Sequence, residues 1–336
     1  MFLYDVITVG SNTLDVFVHT DTDLVKVPRK GTKEKKELLA YPVGAKILIT
    51  KLKFYLGGGG TNTAASFKKL GLKTAYLGKI GHDENGVKIL NEINKLNVDF
   101  IGAFGKESGY SVILDSKEHD RTILTHKGSN DNFRYAEVNK EKLKTKWFYF
   151  SSMMSSSLEL LKSLARYAKK NDRKIAFNPS EYLVKKGREE IKTILNSTDI
   201  LVFNKEEATI LTEKKTIQQM MKELKKMIKP TGIIVITDGP RGSYAYSEEL
   251  LYHISPKKVK IVETTGAGDA FASAFTTAIM KKENIKTALK IGTIQAESVI
   301  QSHGAKNKLL NKKEMIIKLK KDKRKITTKK IRGATL

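Results

Sequence analysis

The stretch TTGAGDAF, residues 264–271, places two glycines and an aspartate where one local pattern gives way to another. KVKIV, residues 258–262, alternates like a strand, whereas Ala270, Phe271, Ala274, Phe275, Ala278 and Ile279 fall on one helical face. The turn between them therefore opens a helix. Free backbone N–H groups point out of such a start, the macrodipole adds roughly half a positive charge, and glycines let a phosphate approach the backbone. Gly266, Ala267 and Gly268 read as an anion hole, and Asp269 beside them can take a proton from an attacking hydroxyl. The same aspartate could instead cap the helix, and both readings stand at this point.

A second glycine cluster, LGGGGTNTAASFKKLG at residues 56–71, also feeds a helix start. The Asn62 amide can donate to and accept from hydroxyls, which suits a sugar; a flexible loop without a ligand is the alternative. The cluster does not match G-x-G-x-x-G, because Asn62 or Thr63 takes the third position, and G-x-x-x-x-G-K-[ST] occurs nowhere. In GSNTLD, residues 10–15, Thr13 and Asp15 stand at the carboxyl edge of the first strand, where hydroxyl recognition is expected. In NKEEA, residues 204–208, Asn204 follows a buried strand and Glu207 lies one turn on, so both could face a hydrated Mg²⁺ held mostly by phosphate oxygens, or simply cap a helix. TDGPRG, residues 237–242, ends a strand in a glycine turn able to pass close to a nucleotide, or is a plain β-turn.

The elements that must position these groups alternate along the chain. Residues 4–10, 74–80, 147–151, 174–178, 199–204 and 232–237 read as strands, and 63–70, 84–96, 157–170, 216–228, 270–280 and 286–301 as helices. That alternation predicts an α/β fold, a largely parallel sheet with helices on both faces and ligands at the carboxyl ends of the strands. Residues 16–55 and 99–126 break the rhythm with alternating apolar residues and turn signals, as a small β lid would, or two unrelated hairpins. The expected organisation is a core of about residues 1–15, 56–98 and 127–310, the lid, and a tail over 311–336.

Composition narrows the function. The 336 residues, 40% hydrophobic and 29% charged, suffice for a sizeable core. Without cysteine there is no disulfide framework, thiol nucleophile or cysteine zinc site. No apolar run approaches a membrane span or a signal peptide, so no membrane association and a cytoplasmic location are expected. The net charge is +26, and from Ala305 onward 13 Lys/Arg face 2 acids. That run reads as a solvated tail, with nucleic acid bound weakly through it at most.

In this order and spacing the motifs resemble the ribokinase family, also called the PfkB family of carbohydrate kinases, from the first strand to about Ala305. The resemblance rests on Gly57, Gly58 and Asn62, on GKIGHDENG at 78–86, on Asn204 with Glu207, on TDGPRG, and above all on TTGAGDAF. It implies a ribokinase-like fold and an ATP-dependent kinase with Asp269 as base and Gly266, Ala267 and Gly268 as the hole for the transferred γ-phosphoryl group. Thr265, Asn204, Thr237, Gly239 and Gly242 would border ATP, and Asn204 and Glu207 would organise Mg²⁺ through water. Thr13, Asp15, Gly58, Gly59 and Asn62, with Arg121 from the lid, would hold the acceptor. Thr13 stands where ribokinases proper usually have Asn, which points away from ribose itself. Glu263 stands where the family often has Asp, near a monovalent-cation site that Thr265 and Gly304 would share, so K⁺ activation is an open expectation. The acceptor is read as a sugar or sugar acid; a nucleoside is the alternative, because Phe17, Tyr41, Phe54, Tyr55, Phe100, Phe104 and Tyr110 could stack a base or serve as core. Open lid edges would suit a homodimer. A polyanion-binding protein on a retired kinase fold is the remote alternative.

Overall fold

The computed structural model describes residues 3–20, 24–28, 35–115 and 121–331. The alternating elements build a ten-stranded sheet. Through its middle run Ile233–Thr237, Ile200–Asn204, Lys174–Phe177, Thr145–Phe150, Tyr4–Val9 and Thr74–Leu77, all parallel. Asp99–Phe100 extends one edge in parallel, and the antiparallel strands Ser243–Ser247, Leu250–Ile254 and Thr327–Lys330 extend the other.

The central strands are continuous apolar runs because both faces are covered. Phe148 and Phe150 enter one core cluster with Leu160, Leu164 and Met220, from the helices Ser156–Lys170 and Ile217–Lys225. Trp147 and Tyr149 enter the other with Phe67, Phe271 and Phe275, from Gly59–Lys69 and Ala267–Met280. Both glycine-rich turns thus lead into helices on the same face of the sheet.

Three expectations about local structure are corrected, and one hairpin lay outside all of them. KVKIV forms no strand: Ile261 and Val262 are exposed, and alternation without a neighbouring strand does not make one. The hairpin Ser243–Ser247 to Leu250–Ile254 was hidden, because its turn uses Glu248 and Glu249 at φ +49° and +61°, where Asn-Gly would have announced it. The small sheet has the order Arg121–His126, Gly109–Asp115, Thr13–His19, Lys51–Gly57. Its second segment therefore starts near Gly109, since Asp99–Phe100 joins the main sheet and Ala103–Gly105 pairs with Lys79–Gly81. Among the described residues, Leu24–Pro28 and Lys35–Leu39 pair with each other in a separate two-stranded ribbon.

The third correction is the tail. Lys312–Lys320 is a helix that packs Met315 with Leu70, Ala274 and Ile294, and Thr327–Lys330 is an edge strand of the main sheet. Asp322 and Arg324 are buried between them, Arg324 reaching Glu297 at 2.5 Å. A lysine-rich run that spaces its few apolar residues widely still folds when each finds a groove.

Candidate active site

The helix Ala267–Met280 is capped by Gly266 in a left-handed turn, φ +78°. A Cβ there would sit 2.3 Å from Ala305 Cβ, so the position admits glycine alone. The first intrahelical bond runs from Ala270 N to Gly266 O, which leaves the N–H groups of Gly268 and Asp269 ahead of the ladder. A Cβ on Gly268 would meet nothing within 4 Å, so the turn opens onto free space. Asp269 does not cap the helix. Its Oδ2 accepts from Asn62 Nδ2 at 2.9 Å, joining the two glycine-rich elements at one point. Burial raises the Asp269 carboxyl, against the Asn62 amide and the Lys306 ammonium.

Gly266, Gly268 and Asp269 line an open pocket of about 410 Å³ at the carboxyl ends of the parallel strands, with Gly59, Ser151, Asn178, Asn204, Glu207 and Thr237 on its walls. Two buried atoms of this region, Asn62 Oδ1 and Ser151 Oγ, have no hydrogen-bond partner among the described residues. Polar atoms left unpaired this way are what a hydroxyl-bearing ligand satisfies. Ser151 and Asn178 were missed in the sequence, although each follows a buried strand directly, where ligands bind in such sheets.

On the small sheet Asp15 pairs in register with Tyr55 and Ser111, so the three share a face. Thr13 is buried and hydrogen-bonds Asp15, as does Ser111, while burial pushes the Asp15 carboxyl up. A Cβ on Gly57 would lie 2.1 Å from Asp15 Oδ2. Gly58, at φ +95°, packs against Ser11 O, and Gly59 faces Ser151 and Asp269. Arg121 begins a strand of this sheet, and its side chain lies outside the described residues. The GKIGHDENG motif serves the scaffold: Asp83 accepts from Gly86 N and Ser108 N, both at 2.7 Å, tying a helix start to the small sheet.

Asn204 and Glu207 form a reciprocal cap on the helix Lys205–Thr212: Asn204 Oδ1 accepts from Glu207 N at 2.8 Å and Glu207 Oε2 from Asn204 N at 2.9 Å. Both also face the pocket, so the cap and the ligand wall are the same two residues. Burial pushes Glu207 up to about 7 from 4.5, with Glu181, Glu206 and Asp269 adding to it. Its folded value lies above the unfolded one, so this group's contribution to stability is full below about pH 4.5 and lost as pH rises through about 7. Glu207→Gln keeps the acceptor oxygen without the charge. In metal-free protein it should stabilise by ~1–3 kcal/mol at about pH 8 and little at about pH 5. Thermal melts at both values test this, and a difference independent of pH would contradict it.

Thr237 pairs with Asn204 and Ser243 at the sheet's end. The turn after it is held by Asp238, which accepts from Arg241 Nη2 at 2.6 Å and Lys205 Nζ at 3.1 Å. Gly242, at φ +97°, leaves no room for a side chain beside Ile254 O, whereas Gly239 stands in the open. Glu263 Oε2 accepts from Gly304 N at 3.1 Å, which brings two of the three residues expected around a monovalent cation together. Among the described residues no group of three or more His, Cys, Asp or Glu could hold a metal.

Comparison with known proteins gives the family and the fold. The pfkB family carbohydrate kinase profile matches residues 29–312. The chain is 30% identical over 294 residues to the 5-dehydro-2-deoxygluconokinase of Clostridium botulinum, covering 80% of this chain and 86% of that one. Its fold is that of the ribokinases. The Methanocaldococcus jannaschii nucleoside kinase superposes with a TM-score of 0.76 at 22% identity, over 95% of this chain and 99% of that one. The Arabidopsis thaliana ribokinase complexed with ribose and ATP gives 0.77 at 20% identity, over 94% and 99%.

Proposed function

Because the chain belongs to the pfkB family of carbohydrate kinases and is a phosphotransferase acting on a sugar hydroxyl, we propose that it transfers the γ-phosphoryl group of ATP to a sugar or sugar acid with Asp269 as base. The observation that carries this reading is the meeting of Asp269 and Asn62 beside the opened helix start, with Asn62 Oδ1 and Ser151 Oγ unpaired around it. The acceptor hydroxyl would give its proton to Asp269 while Gly266, Ala267 and Gly268 face the charge on the transferred group. Asp15, Asn62, Gly58 and Gly59 would hold the acceptor. Thr13 acts by orienting Asp15, and Arg121 is a candidate contact from the small sheet acting as a lid.

Asn204, Thr237, Gly239, Gly242 and Thr265 would line the nucleotide. Mg²⁺, when bound, neutralises phosphate oxygens; Asn204 and Glu207 would hold it, largely through water. Glu263, Thr265 and Gly304 would supply a K⁺ site. A relative named 5-dehydro-2-deoxygluconokinase supports a sugar-acid acceptor. A nucleoside is the second reading, favoured by the Phe17–Tyr55 pair, rings 5.4 Å apart, beside Asp15 in the small sheet. Leu52, Phe54 and Leu124 are exposed on that sheet, which supports a homodimer covering them. No helix among the described residues is long and apolar enough to cross a membrane, and we place the reaction in the cytoplasm.

Asp15→Ala tests the acceptor side. It should lower kcat/KM for the acceptor by at least ~10²-fold, as when a buried hydroxyl partner is lost, and leave the KM for ATP within a factor of a few. Steady-state kinetics with both substrates varied decide it, and an unchanged acceptor kcat/KM would remove Asp15 from the site.

A further inference from the structure

Asp15 and Asp269 are two largely buried carboxylates on the acceptor side, and the residue that answers their charge lies outside every motif. Residues 304–306 thread between the parts of the site: Gly304 packs on Tyr55 of the small sheet, Ala305 on Gly266 of the anion turn, and Lys306 on Glu92 of the helix Glu84–Lys95. The Lys306 ammonium donates to Glu92 Oε1 at 2.5 Å, its side chain 12% exposed. It shares a narrow crevice with Gly57 and Thr61, and Gly57 lies directly against the Asp15 carboxylate.

We propose that Lys306, anchored by Glu92, is a positioning residue of the acceptor site, the shared counter-charge that keeps Asp15 and Asp269 ionised. This inference rests on the kinase reading of the pocket. An uncompensated buried carboxylate takes up a proton, and a base that holds its proton cannot accept another. Burial raises both carboxyls, and Lys306 opposes that rise at both. Among the described residues, the other titratable groups that act on Asp269 or feel it are Glu207 and Tyr149, and Glu263 acts on Asp15; none of these three is a cation. Burial lowers the Lys306 ammonium, and Glu92 first, then Asp15 and Asp269, oppose that fall and favour its charged form.

The test uses the full chain with Lys306→Met, Lys306→Arg, and Lys306→Met combined with Glu92→Gln, which removes the ion pair as a unit. Both variants lacking the ammonium should lose acceptor kcat/KM severalfold, up to ~10-fold, at the acid end of the pH range, and the loss should shrink as pH rises and Asp269 ionises anyway. Lys306→Arg should keep the wild-type profile. A purely structural role would lower activity evenly across pH, and that result, or no loss, overturns the proposal. A carboxyl NMR titration of Asp269 in the free protein, assigned with Asp269→Asn, gives a second readout that needs no substrate. The titration should move up by about one unit without the ammonium, and an unmoved titration overturns the proposal. If wild-type protein phosphorylates no acceptor, the kinase reading fails while this titration still decides the role of Lys306.

Discussion

Asp269→Asn lowers turnover by at least ~10²-fold while the fold and ATP binding persist, the expected loss for removing a general base. The substitution is nearly isosteric. Its amide oxygen can accept the bond that Asn62 Nδ2 now makes to Asp269 Oδ2 at 2.9 Å, so the two glycine-rich elements stay joined. The backbone N–H groups at the helix start are untouched, and with them the anion turn capped by Gly266. What disappears is an oxygen basic enough to take the acceptor proton as the phosphoryl group departs. Single-turnover measurements with saturating acceptor separate this from a binding defect. Near wild-type turnover would take Asp269 out of its proposed role.

Ending the chain at Asn311 costs at least ~3 kcal/mol of stability, the range for leaving one member of a buried ion pair alone. Glu297 Oε1 accepts from Arg324 Nη1 at 2.5 Å and from Lys257 N at 2.6 Å, so truncation strips a buried carboxylate of its guanidinium. Met315 leaves its place between Leu70 and Ile294, and Leu250–Ile254 loses the strand that covers its edge. A bare edge next to newly exposed apolar surface also invites association between chains. Urea unfolding and light scattering on the truncated protein test this. A chain as stable and as monodisperse as the full-length protein would show that the last helix and strand contribute nothing to the fold.

The parts of the site legible in the sequence are those whose meaning is local. TTGAGDAF announced a helix start because glycine and helical period sit side by side, and the structure opens a helix at Ala267. The Asn204 and Glu207 spacing announced a helix cap for the same reason. Alternating runs showed that residues 16–55 and 99–126 hold strands, but a short run does not name its partner, and Asp99–Phe100 went to the main sheet. Lys306 was illegible, because its significance depends on Glu92, 214 positions earlier. The edge strand Thr327–Lys330 was illegible as well, since all four residues are exposed and its membership comes from backbone pairing alone.

The central claim is phosphoryl transfer to a sugar-type hydroxyl, and acceptor-dependent ADP release tests it most directly. Purified protein is given ATP and Mg²⁺ with, in turn, free sugars, sugar acids and nucleosides, and phosphorus NMR follows the product. Release should be slow with ATP alone and strongly stimulated by a sugar or sugar acid, with a new phosphate-ester signal that Asp269→Asn suppresses. Stimulation by nucleosides with every sugar inactive would contradict the acceptor class, and no ester from any hydroxyl compound would contradict the kinase itself.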